Sequence, residues 1–178
     1  MVAAEARGTA LAVIAALGLA CASGGGPEQR AAEEANRRQA VARYNVGVHH
    51  LAEGRTALAL RELQVALEKD PADPWIHLAL AEGYRRKASG KDAEAHLLQA
   101  LAIDPGFHHA RLSLSALYVQ LGRYDEAVSE SQQLVDDPAF PAPWRAYTNL
   151  GWAQFKQGNT AEARRNLQLA LEIGRAHV

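Results

Sequence analysis

The chain has 178 residues, enough for one compact domain or a short solenoid but short for two domains. Its 19 Lys plus Arg against 20 Asp plus Glu leave a formal net charge of -1, so there is no basic excess to condense onto phosphate and nucleic acid is not an expected partner. Hydrophobic residues make up 48% and aromatics only 6%; the surplus is Ala and Leu, strong helix formers, which points to an all-α fold.

The first element is an export signal. Arg7 precedes an uncharged run from Thr9 to Ala20, the length of a signal-peptide apolar core and too short to span a bilayer. Residues 1–20 are therefore expected to be removed. The single cysteine, Cys21, ends that run, so no internal disulfide is possible. Leu17-Gly18-Leu19-Ala20-Cys21 resembles a bacterial lipobox, in which the thiol is acylated and becomes the first mature residue, although Gly18 stands where an aliphatic residue is usual. Ala20-Cys21-Ala22 also satisfies ordinary small-residue cleavage, which would leave a soluble periplasmic protein. Residues 21–27, with Gly24-Gly25-Gly26, form a flexible tether. Residues 28–39 are charged and Ala-rich, and serve either as a solvated lead-in helix or as more tether.

From there the chain repeats. Ala59, Ala93 and Ala127 are spaced by 34, and Ala163 follows by 36. A second column holds Gly47, Ala81, Ser115 and Gly151; a third holds Ala66, Ala100, Leu134 and Ala170; Pro71, Pro105 and Pro138 close the units. That period is the tetratricopeptide one. Two antiparallel helices approach closely only where both present small residues at the crossing, which is why the columns exist. Helices are expected at 40–53 with 57–70, 74–87 with 91–104, 108–121 with 125–136, and 144–157 with 161–173. The units are 40–73, 74–107, 108–143 with a proline-rich insertion, and 144–178. Together they predict a right-handed superhelical solenoid of about four repeats. Val46, Leu63, Leu67, Leu80, Tyr84, Leu97, Leu101, Leu114, Tyr118, Val128, Leu150, Leu167 and Leu171 are assigned to its core. No capping helix follows the fourth unit, and the ending Gly174-Arg175-Ala176-His177-Val178 is what a sequencing adapter encodes, so the gene reads as truncated.

No catalytic constellation stands out. His49-His50 and His108-His109 are adjacent pairs, which point about 100° apart on a helix and cannot chelate together. There is no His-Glu-x-x-His pattern, phosphate loop or nucleophile elbow, so neither enzyme activity, cofactor, metal nor small-molecule substrate is expected. A repeat solenoid offers instead the inner face of each first helix. The register places there Tyr44, Asn45, Val48 and Leu51; Leu78, Glu82 and Arg85; Leu112 and Val119; and Asn149, Trp152 and Phe155, with Val41, Trp75, Ala116, Arg145 and Thr148 along the same rows. These residues suit an apolar or amphipathic segment of a protein partner.

The insertion Asp136-Asp137-Pro138-Ala139-Phe140-Pro141-Ala142-Pro143, followed by Arg145-Ala146 and Asn149-Leu150-Gly151, resembles the type IV pilus pilotins of the PilF/PilW/Tgl type. The likeness runs from Cys21 through the fourth unit. It implies an outer-membrane lipoprotein, lipidated at Cys21 and sorted outward because Ala22 rather than Asp follows, that binds secretin subunits and promotes their assembly without catalysing a reaction. Such proteins carry more repeats than the four visible here. An envelope adaptor that holds cell-wall hydrolases or synthases is the alternative.

Overall fold

A computed structural model describes residues 26–176; the export signal and Cys21 lie outside them. Among the described residues the chain is eight helices and no strand: α1 Pro27–Ala52, α2 Thr56–Lys69, α3 Pro74–Arg86, α4 Gly90–Ile103, α5 His108–Leu121, α6 Tyr124–Val135, α7 Pro143–Lys156 and α8 Thr160–Ala176. Each odd helix pairs with the next even one, and α1, α3, α5 and α7 also touch in succession. The result is the expected all-α tetratricopeptide solenoid. Residues 28–39 belong to α1 as one continuous, solvent-exposed helix of Ala, Glu and Arg.

The small columns are the crossings. Ala59, Ala93, Ala127 and Ala163 are at most 2% exposed. A Cβ added to Gly47 would stand 2.6 Å from Leu63 Cγ, and one added to Gly151 2.7 Å from Leu167 Cγ. Helix starts and stops follow local chemistry. Asp73 caps α3 by accepting from the Trp75 N–H at 2.8 Å, with Pro74 at the first helical position. Within each pair the turn needs one left-handed residue, supplied by Gly54, Gly122 and Gly158 and, in the second unit, by Ala88 at φ 56°.

Three apolar clusters join neighbouring units. Leu80 and Ile76 pack on Ala59, Leu63 and Ala66; Leu114 and Phe107 pack on Leu97 and Ala100; Leu134, Phe140 and Ala146 close on Leu112. Phe140, from the proline-rich insertion, is thus a plug that fastens α6 to α7 despite the two extra residues. His108 pins the same insertion through Asp137, 2.7 Å away.

Two core assignments are corrected. Val46 is 43% exposed and Leu171 is 60% exposed. Leu80, Leu114 and Leu150 occupy the place of Val46 in later units and are covered by the preceding even helix, which α1 lacks among the described residues. Leu67 and Leu101 correspond to Leu171 and pack against the following unit, which α8 likewise lacks.

Candidate functional site

The inner face is built by α1, α3, α5 and α7, whose register brings equivalent side chains into rows. Two of the expected groove residues also pack between units. Leu51 is buried under α3, within reach of the Gly83 position, and Leu112 is buried against Leu134, Phe140 and Ala146. Both are apolar residues covered by the next odd helix, so they hold the stack, and Leu112 also borders the cleft between α5 and α7. Val119 and Tyr44 are half-buried, and Tyr44's phenol is pushed up by burial and by nearby Asp73. Asn45, Val48, Leu78, Glu82, Arg85, Asn149, Trp152 and Phe155 remain open or partly open to the inner side.

Two clefts run between the odd helices. The larger, about 270 Å³, lies between α3 and α5: Leu78, Glu82 and Arg85 form one wall, Ser113, Ala116 and Gln120 the other, and Ala93 and Leu97 the floor. Glu82 accepts from Arg85 at 2.8 and 2.9 Å and from Arg86 at 2.7 Å. Partial burial works to raise the Glu82 pKa, but the bonds and charges of the two arginines outweigh it and hold the carboxyl below its ordinary value. Arg86 also donates to the Leu51 carbonyl, tying α3 to the end of α1. The smaller cleft, about 150 Å³, lies between α5 and α7 and is lined by Leu112, Ser113, Ala116, Arg145 and Asn149. Ser113 and Ala116 border both, so the two form one groove.

Aromatic side chains bracket it. Trp75 is 44% exposed and meets Phe107 edge-on at 4.7 Å and His109 at 5.0 Å. At the other end Trp152 and Phe155 are 47% and 49% exposed, their rings edge-to-face with centroids 6.0 Å apart. Phe155 holds the place that Leu51 and Val119 hold in earlier units, while Trp152 stands in the row of Val48, Glu82 and Ala116. Between α7 and α8 an apolar cleft of about 540 Å³ opens among Trp144, Leu167, Ala170, Leu171 and Gly174.

Some polar features escaped the sequence reading. His77 and His96, on α3 and α4, bring their Nδ1 atoms to 3.0 Å, and His96 stacks on Tyr84. Burial lowers both pKa values. Their separation by 19 residues has no motif to announce it. Among the described residues no cluster of three or more His, Cys, Asp or Glu could hold a metal, and no helix is long and apolar enough to cross a membrane.

Comparison with known proteins agrees with this geometry. Two tetratricopeptide repeat family models match, one over residues 29–74 and 117–177 and the other over 87–139. The type IV pilus assembly protein PilF of Pseudomonas aeruginosa is 26% identical over 93% of this chain, which spans 66% of that protein's length. A solved structure from the functional characterisation of P. aeruginosa PilF superposes with a TM-score of 0.74 at 26% identity, covering 79% of this chain and 64% of that one. PilW, described as a widely conserved type IV pilus biogenesis factor, superposes at 0.72 with 23% identity over 76% of this chain and 62% of that one. MamA superposes at 0.71 with 20% identity over 83% of this chain and 85% of that one, a likeness of fold. With its four helix pairs and the matched models, the chain belongs to the tetratricopeptide repeat family, as a member similar to the pilus-assembly protein PilF.

Proposed function

We propose that the protein is an outer-membrane lipoprotein pilotin, which binds secretin subunits in the periplasm and promotes their localisation and assembly for type IV pilus biogenesis. The observation that carries this reading is the open groove ending in the exposed Trp152–Phe155 pair, on a chain similar to PilF over 93% of its length. Exposed aromatic pairs on a rigid helix are the side chains that dominate binding energy at interfaces. A partner's apolar segment laid along the inner face would bury them together with Leu78 and Val48. Acyl chains on Cys21 would supply the anchor, since more than one chain is needed for stable membrane residence. The exposed lead of α1 would then stand between that anchor and the groove. The function is capture and delivery, with no bond made or broken.

The test is a pull-down of the full-length, tethered protein from envelope extracts of its own source, with the retained proteins identified. A multimeric secretin supports the reading. Retention of a cell-wall hydrolase or synthase with no secretin would replace it with the envelope-adaptor alternative.

A further inference from the structure

His77 and His96 do what the adjacent histidine pairs cannot: from two different helices they bring ring nitrogens to one point. Their Nδ1 atoms stand 3.0 Å apart, between α3 and α4. The Nε2 of His77 lies 3.4 Å from the Pro71 carbonyl, which can only accept, so that nitrogen carries the ring proton and Nδ1 is left with a lone pair. His96 is stacked on Tyr84, with ring centroids 5.4 Å apart and an interplanar angle of 12°. Each ring is thus held from behind while its Nδ1 faces the other. A histidine that binds a metal ion is ordinarily held this way, its second nitrogen donating to a carbonyl or carboxylate. The surroundings favour a cation. Asp73 stands one helical turn before His77 and Asp92 one turn before His96, and each carboxylate acts on its ring so as to favour positive charge there. Burial works the other way on the protonated rings, so near neutral pH their lone pairs are not spent on extra protons.

We infer that His77 Nδ1 and His96 Nδ1 form a two-histidine site for a divalent transition-metal ion, Cu(II) foremost. The ion takes the place of the one proton that the two nitrogens otherwise share, and His96 keeps its own ring proton on Nε2. An ion bonded to both nitrogens at about 2.0–2.1 Å subtends about 95° across their 3.0 Å separation. That is close to the angle between neighbouring ligands of a square-planar ion, whereas a tetrahedral ion opens wider. Cu(II) takes square-planar sites and also binds nitrogen ligands most tightly among the first-row divalent ions. Only two protein ligands converge, since no larger cluster of His, Cys, Asp or Glu is found among the described residues. The remaining positions fall to solvent on the side of His96, which is less buried than His77. Nothing in this site depends on the groove or on the partner's being a secretin.

The test titrates Cu(II) into the full chain, purified without a polyhistidine tag and stripped with chelator, near neutral pH. The first ion bound to the wild type should give an electron paramagnetic resonance spectrum that carries the coupling of two imidazole nitrogens. The melting temperature should rise with copper concentration, as binding to the folded state requires. His96→Gln, at the less buried of the two positions, should keep its helical signal and lose affinity about tenfold or more, a loss that removal of even an outer-shell partner produces. The double change of His49 and His50 to Gln should leave spectrum and affinity as they were. A wild-type spectrum without two imidazole nitrogens, or a melting temperature that copper does not raise, overturns the inference before any variant is made. Undiminished affinity in a folded His96→Gln protein, or a signal that vanishes with His49 and His50, overturns it as well. Copper binding as expected beside an envelope pull-down that retains no secretin would leave this site standing and remove the pilus reading alone.

Discussion

Replacing Gly47 with Ala sets two opposed terms against each other at the crossing of α1 and α2. Gly in a helix interior is less favourable than Ala by about 0.5–1 kcal/mol, so the substitution gains that much in an open helix. Here the new Cβ would lie 2.6 Å from Leu63 Cγ, 2.8 Å from Leu63 Cδ2 and 3.3 Å from the Ala59 carbonyl oxygen. Leu63 is 0% exposed and packs in the cluster that joins the first two units, so it has nowhere to retreat without moving α2. Overpacking costs about 1–3 kcal/mol, and an immobile neighbour this close puts the site in the upper part of that range, about 2–3 kcal/mol, so that with the helix gain subtracted the net is a loss of about 1–2.5 kcal/mol. Gly151→Ala meets the same contact at 2.7 Å, but its neighbour Leu167 is half-buried on the outer helix pair and can shift, so it should cost less. Urea unfolding followed by far-ultraviolet circular dichroism measures both, with the slope checked for constancy. A Gly47→Ala protein as stable as the wild type, or one less destabilised than Gly151→Ala, would refute the crossing argument.

Ala88 holds a left-handed turn position at φ 56°, where its Cβ is strained; Ala88→Gly should raise stability by about 0.5–1 kcal/mol in the same urea assay. His77 and His96 leave room for one proton between Nδ1 atoms 3.0 Å apart, and both folded pKa values lie below the ordinary 6.5. The unfolded chain therefore binds protons first, so stability is complete above that value and falls as pH drops below it. Melting temperatures from pH 8 to 5 should show this fall, and His96→Gln should flatten it. The double change of Trp152 and Phe155 to Ala should weaken partner capture by about 2 kcal/mol or more while the helical signal persists. A lowered melting temperature with capture reduced only in proportion would assign the pair to packing. Cys21→Ser should release the protein from membranes into the periplasmic fraction; unchanged localisation would favour ordinary signal cleavage.

The repeat period, the eight helices and their pairing were legible in the residues alone, because each rests on a local requirement. A close crossing demands a small side chain at a fixed separation, as at Gly47 against Ala59; a helix start takes Asp73-Pro74; a reversal takes Gly54 or Gly122. Ala88 hid one such turn, since only the backbone reveals a non-glycine residue in the left-handed region. The lead-in stayed open between helix and tether because Ala, Glu and Arg suit a solvated helix without any core to hold it, and the structure makes it one helix with α1. Which apolar residues face the groove was decided by the neighbours. Leu51, Leu112 and Phe155 sit on the same inner rows, yet the first two are buried because another odd helix lies over them, whereas Phe155 is half exposed. Val46 and Leu171 are exposed because no helix among the described residues lies over them. The pairing of His77 with His96 and the turning of the Asn149 amide by Ser115 each join residues on different helices. Sequence spacing measures position along one helix, and contacts between helices arise only when the stack sets their distance and rotation.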